Sequence, residues 1–113
     1  MLVDQPTAFD RDGIYADPLT GVGHEDSLFQ CLVLQQAVRT ALRDGLLKAD
    51  IVHCHDNHTG LVPTYLRDDG GPKTVFTIHN LAYQGRYPAE DFAITGLDPA
   101  RFFPHCEFEF HGT

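Results

Sequence analysis

Two short apolar runs, each ending in polar titratable residues, constrain this chain more than any other feature. The first, Asp50 to His55, carries Ile51, Val52 and Cys54. The second, Thr74 to Ile78, is rich in β-branched and aromatic residues, which suit a pleated surface. Between them a helix is predicted from about His58 to Arg67, with Pro63 early enough for the first turns to tolerate it. Asp68-Asp69-Gly70-Gly71-Pro72 then reads as a surface turn. Strand, helix and strand in that order predict parallel pairing through a right-handed crossover, with helices on the faces of the sheet.

The flanking sequence extends the same rhythm. Met1 to Val3 is expected to end an earlier strand, and Asp10 to Gly23, rich in Asp, Gly and Pro, reads as an ordered loop. Ser27-Leu28-Phe29-Gln30 fits a capping box at the start of a helix. Cys31, Leu34, Val38 and Leu42 form its apolar stripe. Gly45 should end the helix, with Leu46 and Leu47 turning back onto the core. After Asn80 the chain becomes irregular, with short helical turns expected near Ala89 to Ile94 and Pro99 to Phe103. The fold class is α/β, with a parallel sheet and flanking helices.

The 113 residues suffice for one domain. A net charge of −8 opposes non-specific binding to nucleic acid and adsorption to an anionic membrane. It leaves a neutral sugar or a nucleotide sugar open as ligand. Cys31, Cys54 and Cys106 are odd in number and widely spaced, so reduced thiols in a cytoplasmic protein are expected. No leader sequence or membrane-length apolar run is evident.

In open parallel sheets, ligands bind beyond the carboxyl ends of the strands. Both polar clusters fall there. His53, His55, Asp56 and His58 place three imidazoles and a carboxylate within six residues. Inside the strand, His53 reads as a satisfied buried histidine. Asp56 is equally suited to capping the following helix or to contacting a ligand. His58, at the helix start, suits a sugar hydroxyl or phosphate oxygen. His79, Asn80, Tyr83 and Gln84 supply polar groups and an aromatic face for a sugar or nucleotide. His24-Glu25-Asp26 complements the dipole of the first helix.

The same histidines allow a metal-dependent hydrolase. His-x-His-Asp-x-His resembles the His-x-His-x-Asp-His run of metallo-β-lactamase-type enzymes, in which two zinc ions activate water. Asp56 stands one residue too early for that pattern, and further ligands would have to come from His79, His105 or His111.

A longer resemblance is carried by whole segments. Asp50-Ile51-Val52-His53-Cys54-His55-Asp56-Asn57-His58-Thr59-Gly60-Leu61-Val62-Pro63 is similar to the DIVHAHDWHTGLVP of bacterial glycogen synthases and plant starch synthases. Val75 to Gly85 reads VFTIHNLAYQG, as that family does, and Tyr87 to Asp91 resembles its FPAED. Phe9 to Tyr15 resembles FDRDGLY, and Phe108 to Gly112 resembles LEFYG. The resemblance implies residues 1–113 as part of the N-terminal domain of a glycosyltransferase of family 5, with the Rossmann-like GT-B fold. It implies glucose transfer from ADP-glucose, or UDP-glucose in some members, to the non-reducing end of an α-1,4-glucan, with retention and no metal or other cofactor. It places His58 and Asp26 near the donor glucose and His79 and Asn80 on the same floor.

Asn57 stands where the family carries Trp, Ser27 where it carries Asn, Gln30-Cys31 where it carries Arg-Phe, and His111 where it carries Tyr. The family's Lys-Thr-Gly-Gly loop and its second domain, with the Lys, Arg and Glu that serve the departing diphosphate, have no counterpart in these residues. The expectation is therefore an inactive isolated chain with an exposed apolar sheet edge. A non-catalytic remnant or glucan-binding module is the remaining alternative.

Overall fold

The computed structural model describes residues 3–104, 106 and 108. The order of elements is α1 (Pro6–Phe9), α2 (Ser27–Arg43), β1 (Ile51–His55), α3 (Val62–Asp68) and β2 (Lys73–Thr77). Single 3-10 helices lie at Asn57–Thr59, Ala89–Thr95 and Pro99–Arg101. β1 and β2 pair in parallel, with Ile51 opposite Lys73, His53 opposite Val75 and His55 opposite Thr77. The βαβ unit predicted from the two apolar runs is present. Among the described residues the sheet has two strands; Met1 and Leu2 lie outside them, and Val3 is irregular. No helix among the described residues is long and apolar enough to cross a membrane.

One face of the sheet makes the core. Cys54, Val62 and Leu66 are each 2% exposed, and Val38, Leu42 and Val52 pack against them. Val38 and Leu42 of the α2 stripe thus pack on this cluster as their spacing required, while Cys31, nearer the start of the helix, lines a cavity with Leu61 and Tyr87. Gln35, buried on the same helix, accepts the Leu61 N–H at 2.8 Å and fixes the entry to α3. Tyr65 is fully buried, donates its hydroxyl to the Thr95 carbonyl at 2.6 Å, and lies under the Arg39 guanidinium, itself forked onto Asp69 at 2.6 and 2.7 Å.

Among the described residues, the opposite face is left uncovered. Ile51 (59% exposed), Val75 (47%) and both strand histidines lie on it, and Ile78 beyond β2 is also exposed. This is the apolar exposure expected of a parallel sheet covered on one side, since such sheets are ordinarily covered on both. It also corrects the reading of His53: the residue is exposed, with Nε2 2.7 Å from Thr77 Oγ1.

Several local expectations give way to longer-range contacts. The helix expected from His58 breaks into the 3-10 turn and α3, with Pro63 in the first turn of α3. The capping box does not form. Asp26 is the N-cap of α2 without a side-chain cap bond, and Gln30 Nε2 donates instead to the Ala8 carbonyl at 2.8 Å. Leu46 and Leu47 are exposed, because the described core ends at Leu42 and offers them no surface. Gly45 does end the helix, at φ 72°, the left-handed conformation glycine adopts freely.

Candidate functional site

At the carboxyl end of the sheet, Asp56 joins the end of β1 to the segment after β2. Its Oδ1 accepts the backbone N–H of His79 at 2.7 Å and, at 3.4 Å, that of Asn80. The helix-cap role considered for Asp56 is thereby overturned, since its carboxylate crosses to the segment after β2. The hydrogen bond from the His79 amide holds the carboxyl below its usual range, with the Asn80 amide and the charges of His79 and His58 acting in the same direction. Asp56 also adopts φ 53° and ψ −176°, a conformation essentially reserved for glycine. The strain is sustained by bonds on either side. Asp56 N donates to the Thr77 carbonyl at 3.0 Å, and the Thr59 hydroxyl accepts from His55 N and donates to His55 O, both at 2.8 Å.

The structure therefore gathers His58, His79 and Asn80 at one end of the sheet, about a single carboxylate. Asn80 is spent partly on its own turn, accepting from Ala82 N at 3.0 Å through its side chain. Tyr83 is exposed and its amide donates to Asn80 O at 3.2 Å. Gln84 donates to the Leu81 carbonyl at 3.2 Å. It also lines a separate cavity of about 480 Å³ with Leu28, Cys31, Leu61 and Tyr87, which His58, His79, Asn80 and Tyr83 do not line. Asn57 borders this cavity, and its Oδ1 is buried without a hydrogen-bond partner.

Asp26 is held differently. Arg11 Nη1 and Nη2 grip its two oxygens at 2.5 and 2.9 Å, and this bidentate contact lowers the carboxyl's pKa. The partner Arg11 was not singled out in the sequence, although it lies in the Phe9–Tyr15 segment. Tyr15 was missed for the same reason: its ring stands 5.4 Å from that of His58. Among the described residues, the ring that stands beside His58 is that of Tyr15.

A run of metal ligands is not assembled. His53 meets Thr77, His55 Nδ1 lies 2.9 Å from His79 Nε2, Asp56 holds two amides, and His58 meets Tyr15. Among the described residues no three His, Cys, Asp or Glu side chains converge on a point where an ion could sit. His105 and His111, the further ligands considered, lie outside the described residues.

The family described as the starch synthase catalytic domain matches residues 1–113. The chain belongs to this family. It is 44% identical over 117 residues to a glycogen synthase of Rhodopseudomonas palustris (strain TIE-1), a match covering 98% of this chain and 24% of that protein. A glycogen synthase of Aquifex aeolicus (strain VF5) is 43% identical over 107 residues, covering 92% of this chain and 22% of its own. One of Geotalea daltonii is 35% identical over 119 residues, covering 98% and 24%. The chain spans about a quarter of the length of these relatives. Within the starch synthase catalytic domain family, the parallel βαβ unit with its polar strand ends is the part of the fold this chain carries.

Proposed function

We propose that these residues form one wall of the glucose-binding cleft of a glycogen or starch synthase. The reaction is transfer of a glucosyl group from ADP-glucose or UDP-glucose to the 4-hydroxyl at the non-reducing end of an α-1,4-glucan. The bond from the anomeric carbon to the diphosphate oxygen breaks, the bond to the acceptor oxygen forms with retention, and the nucleoside diphosphate leaves with the bonding electron pair and takes up the proton released from the acceptor hydroxyl. His58 and the His79–Asn80 pair would supply hydrogen bonds to the hexose from the end of the sheet. Asp26, in the grip of Arg11, would act as a fixed negative group beside them. The transfer would proceed with no metal and no resident cofactor. A second domain would contribute the cations that offset charge on the departing diphosphate, and the protein would act in the cytoplasm.

The observation that carries this reading is the attachment of His79 and Asn80 to Asp56, two residues before His58. A chimera tests it. The matching quarter of the Rhodopseudomonas palustris glycogen synthase is replaced by this chain, and incorporation of labelled glucose from ADP-glucose into glycogen is measured. The chimera is expected to be active and to lose about 100-fold or more on His58→Ala, the scale of losing a preorganised polar contact at the reacting sugar. The 113-residue chain alone is expected to transfer nothing. A folded chimera without activity, or one indifferent to His58→Ala, refutes the reading.

A further inference from the structure

Tyr87 joins three parts of the chain. Its side chain hydrogen-bonds with Ser27 and Cys31 at the start of α2 and with Asn57, the first residue of the 3-10 turn that carries His58. Asn57, Cys31 and Tyr87 line the same cavity of about 480 Å³. Two residues before Tyr87, the backbone lies directly on Asn57. Gly85 has φ 66°, and a Cβ there would sit 2.8 Å from the Asn57 Cβ, so only glycine allows the approach. Asn57 Oδ1 is buried without a hydrogen-bond partner. The carboxamide is therefore oriented by its bond to Tyr87 and by the press of Gly85. Burial pushes the Tyr87 phenol and the Cys31 thiol up, so both stay protonated and the phenol can donate as well as accept. All these partners belong to this chain, so the contact does not depend on what covers its surface.

We infer that Tyr87 is a positioning residue: its hydroxyl holds Asn57 against α2 and so sets the turn that presents His58. The inference rests on the reading of His58 as a sugar contact and adds what keeps that imidazole in place. Removing the hydroxyl leaves the Asn57 amide without this partner in a setting of low dielectric, which costs more than the bond itself contributes. The same residues are places where the chain departs from its family's pattern: Asn57 for Trp, Cys31 for Phe, Ser27 for Asn and Tyr87 for the Phe of FPAED. Three apolar aromatic side chains have given way to groups that hydrogen-bond with one another. Such an exchange is coherent only when its members act together, since each alone leaves a void or an unpaired polar atom.

Tyr87→Phe keeps the ring and removes the hydroxyl, and Asn57→Leu removes the amide at similar size. In the full 113-residue chain, nuclear magnetic resonance follows amide exchange at Thr59 and Gly60. Their N–H groups close the turn onto Asp56 O and Asn57 O at 3.2 and 3.0 Å. Exchange there should quicken about tenfold in each single variant, and the double variant should be no faster than either, because the two residues act through one contact. Amides of β1 and β2 should stay within about twofold of wild type, which separates a loosened turn from a loosened fold. In the chimera with the Rhodopseudomonas palustris glycogen synthase, Tyr87→Phe should lower kcat about tenfold or more and leave KM for ADP-glucose within about twofold, the mark of a misplaced group at the reacting sugar. Unchanged turn exchange in Tyr87→Phe, or effects that add in the double variant, overturns the inference. So does an unchanged kcat in a chimera that still responds to His58→Ala. A chimera inactive in every form refutes the cleft reading alone, and the exchange measurement then judges the hold of Tyr87 on the turn.

Discussion

Asp56 Oδ1 accepts the His79 N–H at 2.7 Å, so the end of the first strand holds the segment that follows the second. This contact and the unusual backbone of Asp56 make opposite demands on a replacement. Asn keeps an acceptor and tolerates positive φ, Gly relieves the backbone but removes the acceptor, and Ala fails on both counts. Thermal midpoints should therefore fall in the order wild type, Asp56→Asn, then Asp56→Gly, with Asp56→Ala lowest. Amide exchange at His79 and Asn80 should accelerate most in the Gly and Ala variants. An Ala variant as stable as the Asn variant would show that the carboxylate does not organise this loop.

Acid should unfold the protein through its paired carboxylates. Arg11 lowers the pKa of Asp26, the His79 amide that of Asp56, and Arg39 that of Asp69. A folded-state pKa below the unfolded value of about 3.9 binds fewer protons than the unfolded chain, so its stabilisation is complete above that value and is lost as pH falls through the folded one. Circular-dichroism melts should show the midpoint dropping below about pH 4, with Asp69→Asn flattening the drop. A midpoint that holds or rises between about pH 5 and 3 contradicts this.

The small core leaves little reserve. Leu66 is 2% exposed among Cys54, Val62 and the stripe of α2. Truncating such a leucine to alanine costs about 2–5 kcal/mol, against total stabilities of about 5–15 kcal/mol for single domains. Urea titration of Leu66→Ala is expected to show a loss in that range or no cooperative transition at all. A loss below about 1 kcal/mol would mean that the α2–β1–α3 contact is not the core.

Gln35 makes a different contribution. It is 2% exposed and its side-chain oxygen accepts the Leu61 amide. Gln35→Leu keeps much of the volume but leaves that amide without an acceptor, which costs about 1–3 kcal/mol. Urea midpoints should fall accordingly, and hydrogen exchange at Leu61 should quicken. A neutral or stabilising substitution would show that the packing of α2 on α3 does not depend on this bond.

Much of the chain was legible from neighbours in sequence. The two strands follow from apolar runs, the stripe of α2 from helical spacing, and its end from Gly45. These are decisions that a few adjacent residues make, so they can be read in one dimension. The starch synthase catalytic domain family was legible too, because long uninterrupted segments carry it. What failed were choices between a local partner and a distant one. Ser27 and Gln30 could have closed a capping box, but Gln30 reached Ala8, 22 residues away. Asp56 could have capped its own helix, but bonded to an amide 23 residues on. His53 is exposed although its strand is apolar, because burial depends on which face another element covers.

Sequence by itself determined the βαβ unit, the helix that backs it, the family, and the placing of two polar clusters at neighbouring strand ends. Tertiary structure alone decided that Asp56 links those clusters, that Arg11 occupies Asp26, and that Tyr15 stands beside His58. The physical reason is range. Periodicity and turn chemistry act over a few residues, while a side chain's partner is selected among every group the folded backbone brings within about 3 Å.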